Sequence, residues 1–281
     1  FIYNDFIYCT QKQKKNYADR LVQVFEDNDI NAFLYYWDNN LVSQYEYIKG
    51  EQAIDTQYEV KLSLVIPCEY EAVYFEKCLD YIKESQSTEV EYILLNNGLS
   101  LTNYINILKV MKEKHNLRLF NTTMHYSFSQ LCNTGISMAE GDYVGFWNPN
   151  DFYKSETELE GWLHKSEEDK VDVCVSKNLN LKWQDVVLAD NEQLSKATKL
   201  LWTSDLYNAL YRRKFLIKQS LLLENYSKVS GLVFYCQSIF KAEKIGFYQE
   251  PVYCTREIWT KDWMETEKIE FLLQGFDAIM D

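Results

Sequence analysis

Positive charge is scarce in this chain. It carries 29 Lys and Arg against 42 Asp and Glu, a formal net charge of −13. Nucleic acids and anionic bilayers reward Lys/Arg surfaces, so neither is expected as the main partner. Glycine and proline are also sparse, at 9 and 3 of 281 residues, which excludes low-complexity and collagen-like chains. No apolar run approaches the roughly 20 residues needed to span a bilayer, so no membrane span is expected. The seven cysteines (Cys9, Cys68, Cys78, Cys132, Cys174, Cys236, Cys254) include no CxxC pair, which argues against a structural zinc site. Scattered through apolar runs, they read as free buried thiols in a reducing, cytoplasmic setting. The three histidines (His115, His125, His164) are far apart and form no HxxxH pair.

What is present is apolar and aromatic. At 47% hydrophobic and 16% aromatic, 281 residues can bury one large core, or one core plus a small appendage. Residues 1–60 read as an N-terminal β-α-β extension: a strand at Asp5–Cys9, a helix at Gln13–Glu26, a strand at Asn31–Trp37. A polar linker at Asp38–Gln57 follows. Its opening, FIYNDFIYCT, reads more like a strand than a start, so the chain could be a fragment or a piece of a longer polypeptide. The segment reads as an accessory layer or the end of a preceding domain.

From Lys61 strands and helices alternate. LSLVIP is a continuous apolar run, as in a parallel strand buried on both faces. Tyr74–Glu84 follows as a helix, Glu91–Leu95 as a strand ending in the turn Asn96-Asn97-Gly98, and Thr102–Lys114 as a helix. Leu117–Asn121 is a strand, Phe128–Glu140 a helix, and GDYVGFW a fourth strand. Beyond Asp151, Val171–Lys177 reads as a strand, and Leu206–Ser220 and Leu232–Ala242 as helices. Short connections between alternating elements predict an α/β, doubly wound, mostly parallel sheet flanked by helices. The stretch 263–280 has Ile269, Leu272, Leu273, Phe276 and Ile279 near helical spacing. It predicts a C-terminal amphipathic helix over 258–281 that packs on its own domain or on a partner. The acidic residues around that stripe argue against a membrane-surface role.

The fourth strand ends abruptly in Asn148-Pro149-Asn150-Asp151. A polar cluster just past a buried strand is where α/β proteins place chemistry, but this one holds two amides and one carboxylate. The order of four stretches supplies a frame for it: LSLVIPCEYEAVYFEKCLDYI (62–82), YILLNNGLS (92–100), SFSQLCNTGISMAEGDYVGFWNPND (127–151), and LYRRKFL (210–216) with SIFKAEKIGFYQEPVYCTRE (238–257). In that order they resemble glycosyltransferase family 2, with its GT-A fold, over about residues 61–257.

The resemblance implies a nucleotide-sugar pocket lined by Pro67, Glu69, Tyr70, Asn96, Asn97, Asn148, Asn150 and Asp151. It also shows what has changed. The family's Tyr-Asn-Glu after the first strand is Glu69-Tyr70-Glu71 here. Its Asp-Asp-Gly-Ser is Asn96-Asn97-Gly98-Leu99, whose amides still accept hydrogen bonds but without charge. Its Asp-x-Asp-Asp holds Mg²⁺ or Mn²⁺ against the sugar diphosphate; here only Asp151 keeps the acid. Hard divalent cations prefer anionic oxygens, so no metal is expected unless Asp151 suffices. The family's catalytic Glu-Asp pair falls at Ser230-Gly231, leaving Glu224 and His125 as candidate bases. His125 also reads as a loop histidine without a role.

Two functional expectations follow from the resemblance. One is an inactive glycosyltransferase-like domain, a binding or assembly module in surface polysaccharide or protein glycosylation. It would bind a nucleotide sugar or glycan, a partner glycosyltransferase, or a second copy through the C-terminal helix. The other is an active transferase using a metal-free route, in which Arg212, Arg213 or Arg256 clamps the diphosphate. Tyr211-Arg212-Arg213 reads more readily as a solvated helical turn with surface arginines than as such a clamp.

Overall fold

Buried apolar runs at residues 62–68, 90–96, 117–121 and 143–146 build the centre of the sheet. The computed structural model describes residues 46–49, 59–68, 72–122, 126–180, 206–225 and 230–255. The expected elements at 5–37 and the C-terminal helix at 258–281 lie outside these residues. In chain order the elements are β1 (Glu46–Lys49), β2 (Leu62–Cys68), α1 (Phe75–Glu84), β3 (Val90–Asn96), α2 (Leu101–Glu113), β4 (Leu117–Asn121), α3 (Phe128–Met138), β5 (Tyr143–Phe146), β6 (Phe152–Tyr153), α4 (Glu156–Asp169), β7 (Val173–Asn180), a 3₁₀ turn (Leu206–Asn208), β8 (Ala209–Arg212), α5 (Arg213–Lys218), α6 (Ser230–Lys241) and β9 (Ile245–Thr255).

They form one sheet ordered β1-β4-β3-β2-β5-β8-β7-β9-β6. Strands β4, β3, β2 and β5 run parallel, and β7 pairs parallel with β9. The fold is thus α/β with a mostly parallel sheet. One apolar layer packs α1, α2 and α4 on one face; a second packs α3, α5 and α6 on the other. Helix α3 lies so close to β2 that a Cβ at Gly135 would sit 2.3 Å from Val65 Cγ1. Helix starts are set locally: Ser127 closes a capping box with Gln130, and the Ser100 and Ser155 side chains accept from Asn103 N and Glu158 N.

Three sequence expectations change. The linker at 38–57 contains β1, which pairs antiparallel with β4. Leu206–Ser220 is not one helix: Ala209–Arg212 is a strand between β5 and β7, and only Arg213–Lys218 is α-helical. Its apolar residues fit a helical period, but two waiting strand edges decide the outcome. Three elements were not expected: the two-residue β6, α4 and the eleven-residue β9.

Candidate functional site

In a parallel sheet, chemistry gathers at the C-terminal ends of the strands. Here the ends of β3, β2 and β5 lie side by side: Asn97 N donates to Cys68 O at 3.0 Å, and Trp147 N to Val65 O at 2.9 Å. This brings Pro67, Asn96, Asn97, Asn148, Asn150 and Asp151 onto one edge of the sheet. Glu69, Tyr70, His125 and Arg256 lie outside the described residues.

The amides after β3 are committed to the fold. Asn96 Oδ1 accepts from Leu99 N (2.9 Å) and its Nδ2 donates to Asn121 Oδ1 (2.9 Å). Asn97 ties down the chain leading into α3: its Oδ1 accepts from Thr122 Oγ1 (2.6 Å) and Tyr126 N (2.9 Å), while Nδ2 donates to Tyr126 O (2.8 Å). Both residues are buried.

The loop after β5 is equally self-contained. Asn148 Oδ1 accepts from Asn150 N (3.0 Å), and Asn150 Oδ1 from Tyr74 N at the start of α1 (3.3 Å). Asp151 is only 4% exposed, and its Oδ2 accepts from the Tyr253 hydroxyl at 2.8 Å. The same hydroxyl accepts from Asn148 N at 3.1 Å. Burial first, and the Asp151 carboxylate next, push the Tyr253 phenol well above its usual range, so it remains a donor. Beneath this loop lies an aromatic cluster. Trp147 packs edge-on against Tyr81 (5.3 Å) and Tyr153 (5.1 Å), Tyr153 against Tyr253 (5.4 Å), and Tyr207 stacks on Tyr253 at 5.6 Å and 6°. Tyr253 and Tyr207 went unnoticed in the sequence. The bond to Asp151 spans 102 residues, so no local pattern announces it.

These side chains do not fit Mg²⁺ or Mn²⁺. A hard divalent cation needs several oxygens, preferably anionic, at near-octahedral geometry. At the motif an oxygen of each of the three side chains already serves an internal hydrogen bond, and only one side chain is an acid. Among the described residues, no group of three or more His, Cys, Asp or Glu could hold a metal ion.

Neither arginine of the expected clamp in the described chain joins this edge. Arg212 pairs in register with Tyr143 at the start of β5, and Arg213 Nε donates to Gly141 O at 2.8 Å. Both sit at the opposite end of β5 from Asp151. Glu224 does lie on the site's side of the sheet. Its carbonyl accepts from Ser129 Oγ (2.9 Å) in the first turn of α3, and its neighbour Leu223 exchanges two hydrogen bonds with Asn133. At the position of the family's base, Ser230 is buried and a Cβ on Gly231 would meet Leu206 Cδ2 at 3.2 Å. A side chain at 231 would therefore require Leu206 to shift by a few tenths of an ångström.

With this geometry in hand, comparison with known proteins is informative. The family described as Glycosyltransferase like family 2 matches residues 63–237. An uncharacterized glycosyltransferase, EpsJ of Bacillus subtilis (strain 168), is 23% identical over 213 residues, 70% of this chain and 61% of its own. The chain thus spans less than two thirds of that relative. Among solved structures, S. aureus TarS 1–349 in complex with UDP-GlcNAc superposes with a TM-score of 0.60 at 15% identity, covering 79% of this chain and 67% of TarS 1–349. The mannosyltransferase PcManGT from Pyrobaculum calidifontis, in complex with GDP-Man and Mn²⁺, gives 0.62 at 15% identity, covering 94% and 76%. At such identities the structural matches speak to the fold, a GT-A sheet with helices on both faces. The family match covers well over half of the residues: the chain belongs to the glycosyltransferase-like family 2.

Proposed function

We propose that this chain is a glycosyltransferase-fold domain without metal-dependent sugar transfer, acting as a binding or assembly module in surface polysaccharide or protein glycosylation. One observation carries the reading. The only acid left in the metal motif, Asp151, is buried and hydrogen-bonded to Tyr253, while the adjacent amides close their own loop. Transfer from a sugar diphosphate needs positive charge where the diphosphate departs, and this edge offers neither a metal cage nor Arg212 and Arg213. The tight packing of Gly231 on Leu206 supports the same reading at the position of the base. The ligand class is a nucleotide sugar or glycan, as in the neighbouring complexes with UDP-GlcNAc and GDP-Man. A partner glycosyltransferase is the protein partner that a non-transferring domain of this family would serve. Among the described residues, the buried thiols of Cys68, Cys78, Cys174 and Cys236 form no disulfide, which supports placement in the cytoplasm. Among the described residues no helix is long and apolar enough to cross a membrane.

The test is calorimetric titration of the purified chain with UDP, UDP-GlcNAc and GDP-mannose, with and without Mn²⁺. A donor-hydrolysis assay is run in parallel. The expected result is that Mn²⁺ changes neither affinity nor turnover, and that turnover stays at background. Metal-dependent binding or turnover would contradict the reading. Metal-independent turnover abolished by Glu224→Gln would replace it with the metal-free transferase.

A further inference from the structure

Buried polar groups are nearly always hydrogen-bonded, so orphans have to be accounted for. Two lie together on the β8 side of the site. Asn208 is fully buried, and neither its Nδ2 nor its Oδ1 has a hydrogen-bond partner among the described residues. Ser176, 3% exposed, has an equally unpartnered Oγ. In the antiparallel β7–β8 ladder, Cys174 faces Leu210 and Val175 faces Ala209. Asn208 immediately precedes Ala209 and Ser176 immediately follows Val175, so the two residues flank the last rung of the ladder on its open side.

The pair also sits where the sheet opens. The β7–β8 pairing ends at Val175 and Ala209. On the other side of β7, Ser176 pairs with Tyr248 but Lys177 with Pro251, so Gln249 and Glu250 bulge out of β9. A bulge interrupts the ladder and leaves local room. Three orphaned polar atoms on these two neighbouring residues, one amide and one hydroxyl, supply both donors and acceptors beside the open end of the ladder.

We infer that Asn208 and Ser176 bind one buried water molecule. Water is the smallest species that both donates and accepts, and internal waters typically make about three hydrogen bonds to otherwise unsatisfied groups. Leaving these atoms dry would cost stability at each. The water would anchor the turn that presents Tyr207, the residue before Asn208, to its stack on Tyr253 and so to Asp151. This inference does not depend on whether the domain transfers sugar.

Oxygen-17 magnetic relaxation dispersion of the intact chain counts long-lived internal waters. Ser176→Ala, which removes a single oxygen, is expected to lower the dispersion amplitude by about one water molecule while the chain still melts cooperatively. Asn208→Leu is the second variant. It is expected to lose the same amplitude and to melt at a lower temperature. An unchanged amplitude in a cooperatively melting Ser176→Ala chain would overturn the inference. So would an Asn208→Leu chain that melts higher, because that is the response of a dry orphan replaced by an apolar side chain.

Discussion

The two ends of the parallel sheet treat charge in opposite ways. At the N-terminal ends of β2, β3 and β4, buried charge is retained and satisfied. Glu91, 3% exposed, accepts from Ser63 Oγ (2.6 Å), Arg118 Nη1 (2.6 Å) and Glu140 N (2.7 Å), while Arg118 Nη1 also reaches Met138 O (2.9 Å). Gly141 N donates to Ser63 Oγ, completing a network that pins the α3–β5 turn to three strands. Lys61, Glu89 and His164 add a half-exposed ion-pair group at the same end, and Arg213 belongs there too. At the C-terminal ends, the described residues after β3 and β5 present amides folded back on themselves and the buried Asp151. The comparison teaches that acids were not lost uniformly from this fold. Among the described residues, Glu91 is an acid that ties strands together, while residues 96, 97, 148 and 150 at the opposite end are amides.

Breaking the charged end should have the largest effect. Arg118→Leu leaves the buried Glu91 carboxylate without its cation, and urea denaturation should show a loss of about 3–5 kcal/mol. The double variant Arg118→Leu/Glu91→Leu should recover much of that loss, since a hydrophobic pair replaces the ion pair without leaving a charge stranded. At the amide end, Tyr253→Phe removes the donor to Asp151 and the acceptor of Asn148 N. It should cost roughly 1–3 kcal/mol by the same measurement, less than the arginine variant. Converting one end into the other sharpens the comparison further. Asn148→Asp/Asn150→Asp places three acids in the loop and should raise Mn²⁺ affinity at least about tenfold by calorimetry, some 1.4 kcal/mol.

The smallest expected effect lies at the α1–β3 connection. The Glu156 carboxylate accepts from Gln86 N (2.8 Å) and Ser87 N (2.6 Å) as well as from Ser85. Burial works against its charge, but these hydrogen bonds prevail and hold its pKa below the ordinary 4.5. A carboxylate with a depressed folded pKa stabilises fully above its unfolded value and loses that contribution as pH falls through the folded one. Thermal melts should therefore show a Glu156-dependent loss beginning near pH 4.5 and deepening below it, absent in Glu156→Gln.

Much of the site-bearing half was legible because parallel strands buried on both faces read as unbroken apolar runs. Leu62–Cys68 is such a run apart from Ser63, Val90–Asn96 and Leu117–Asn121 are mostly apolar around Glu91 and Arg118, and the helices between them carry clear apolar stripes. The later half resisted for physical reasons. Strand β8 has four residues and is created by its neighbours β5 and β7, not by its own pattern. Strand β9 contains Pro251 and a bulge, both of which break strand periodicity. Helix α4 is rich in acids, yet Leu159, Trp162, Leu163 and Ser166 fall on one buried face, a spacing that could have revealed it. At the site, the replacement of acids by amides could be read directly at residues 96, 97, 148 and 150. The commitment of Asp151 to Tyr253, and the position of Arg212 and Arg213 at the far end of β5, required three-dimensional pairing to be seen.

The most direct test of the central claim is electron paramagnetic resonance of Mn²⁺ titrated with the wild-type chain, alone and in the presence of UDP. The account predicts that the spectrum of free or UDP-bound Mn²⁺ is unchanged by the protein. A protein-dependent loss of that signal at stoichiometric chain would mean that Asn148, Asn150 and Asp151 hold a metal after all, and would contradict it.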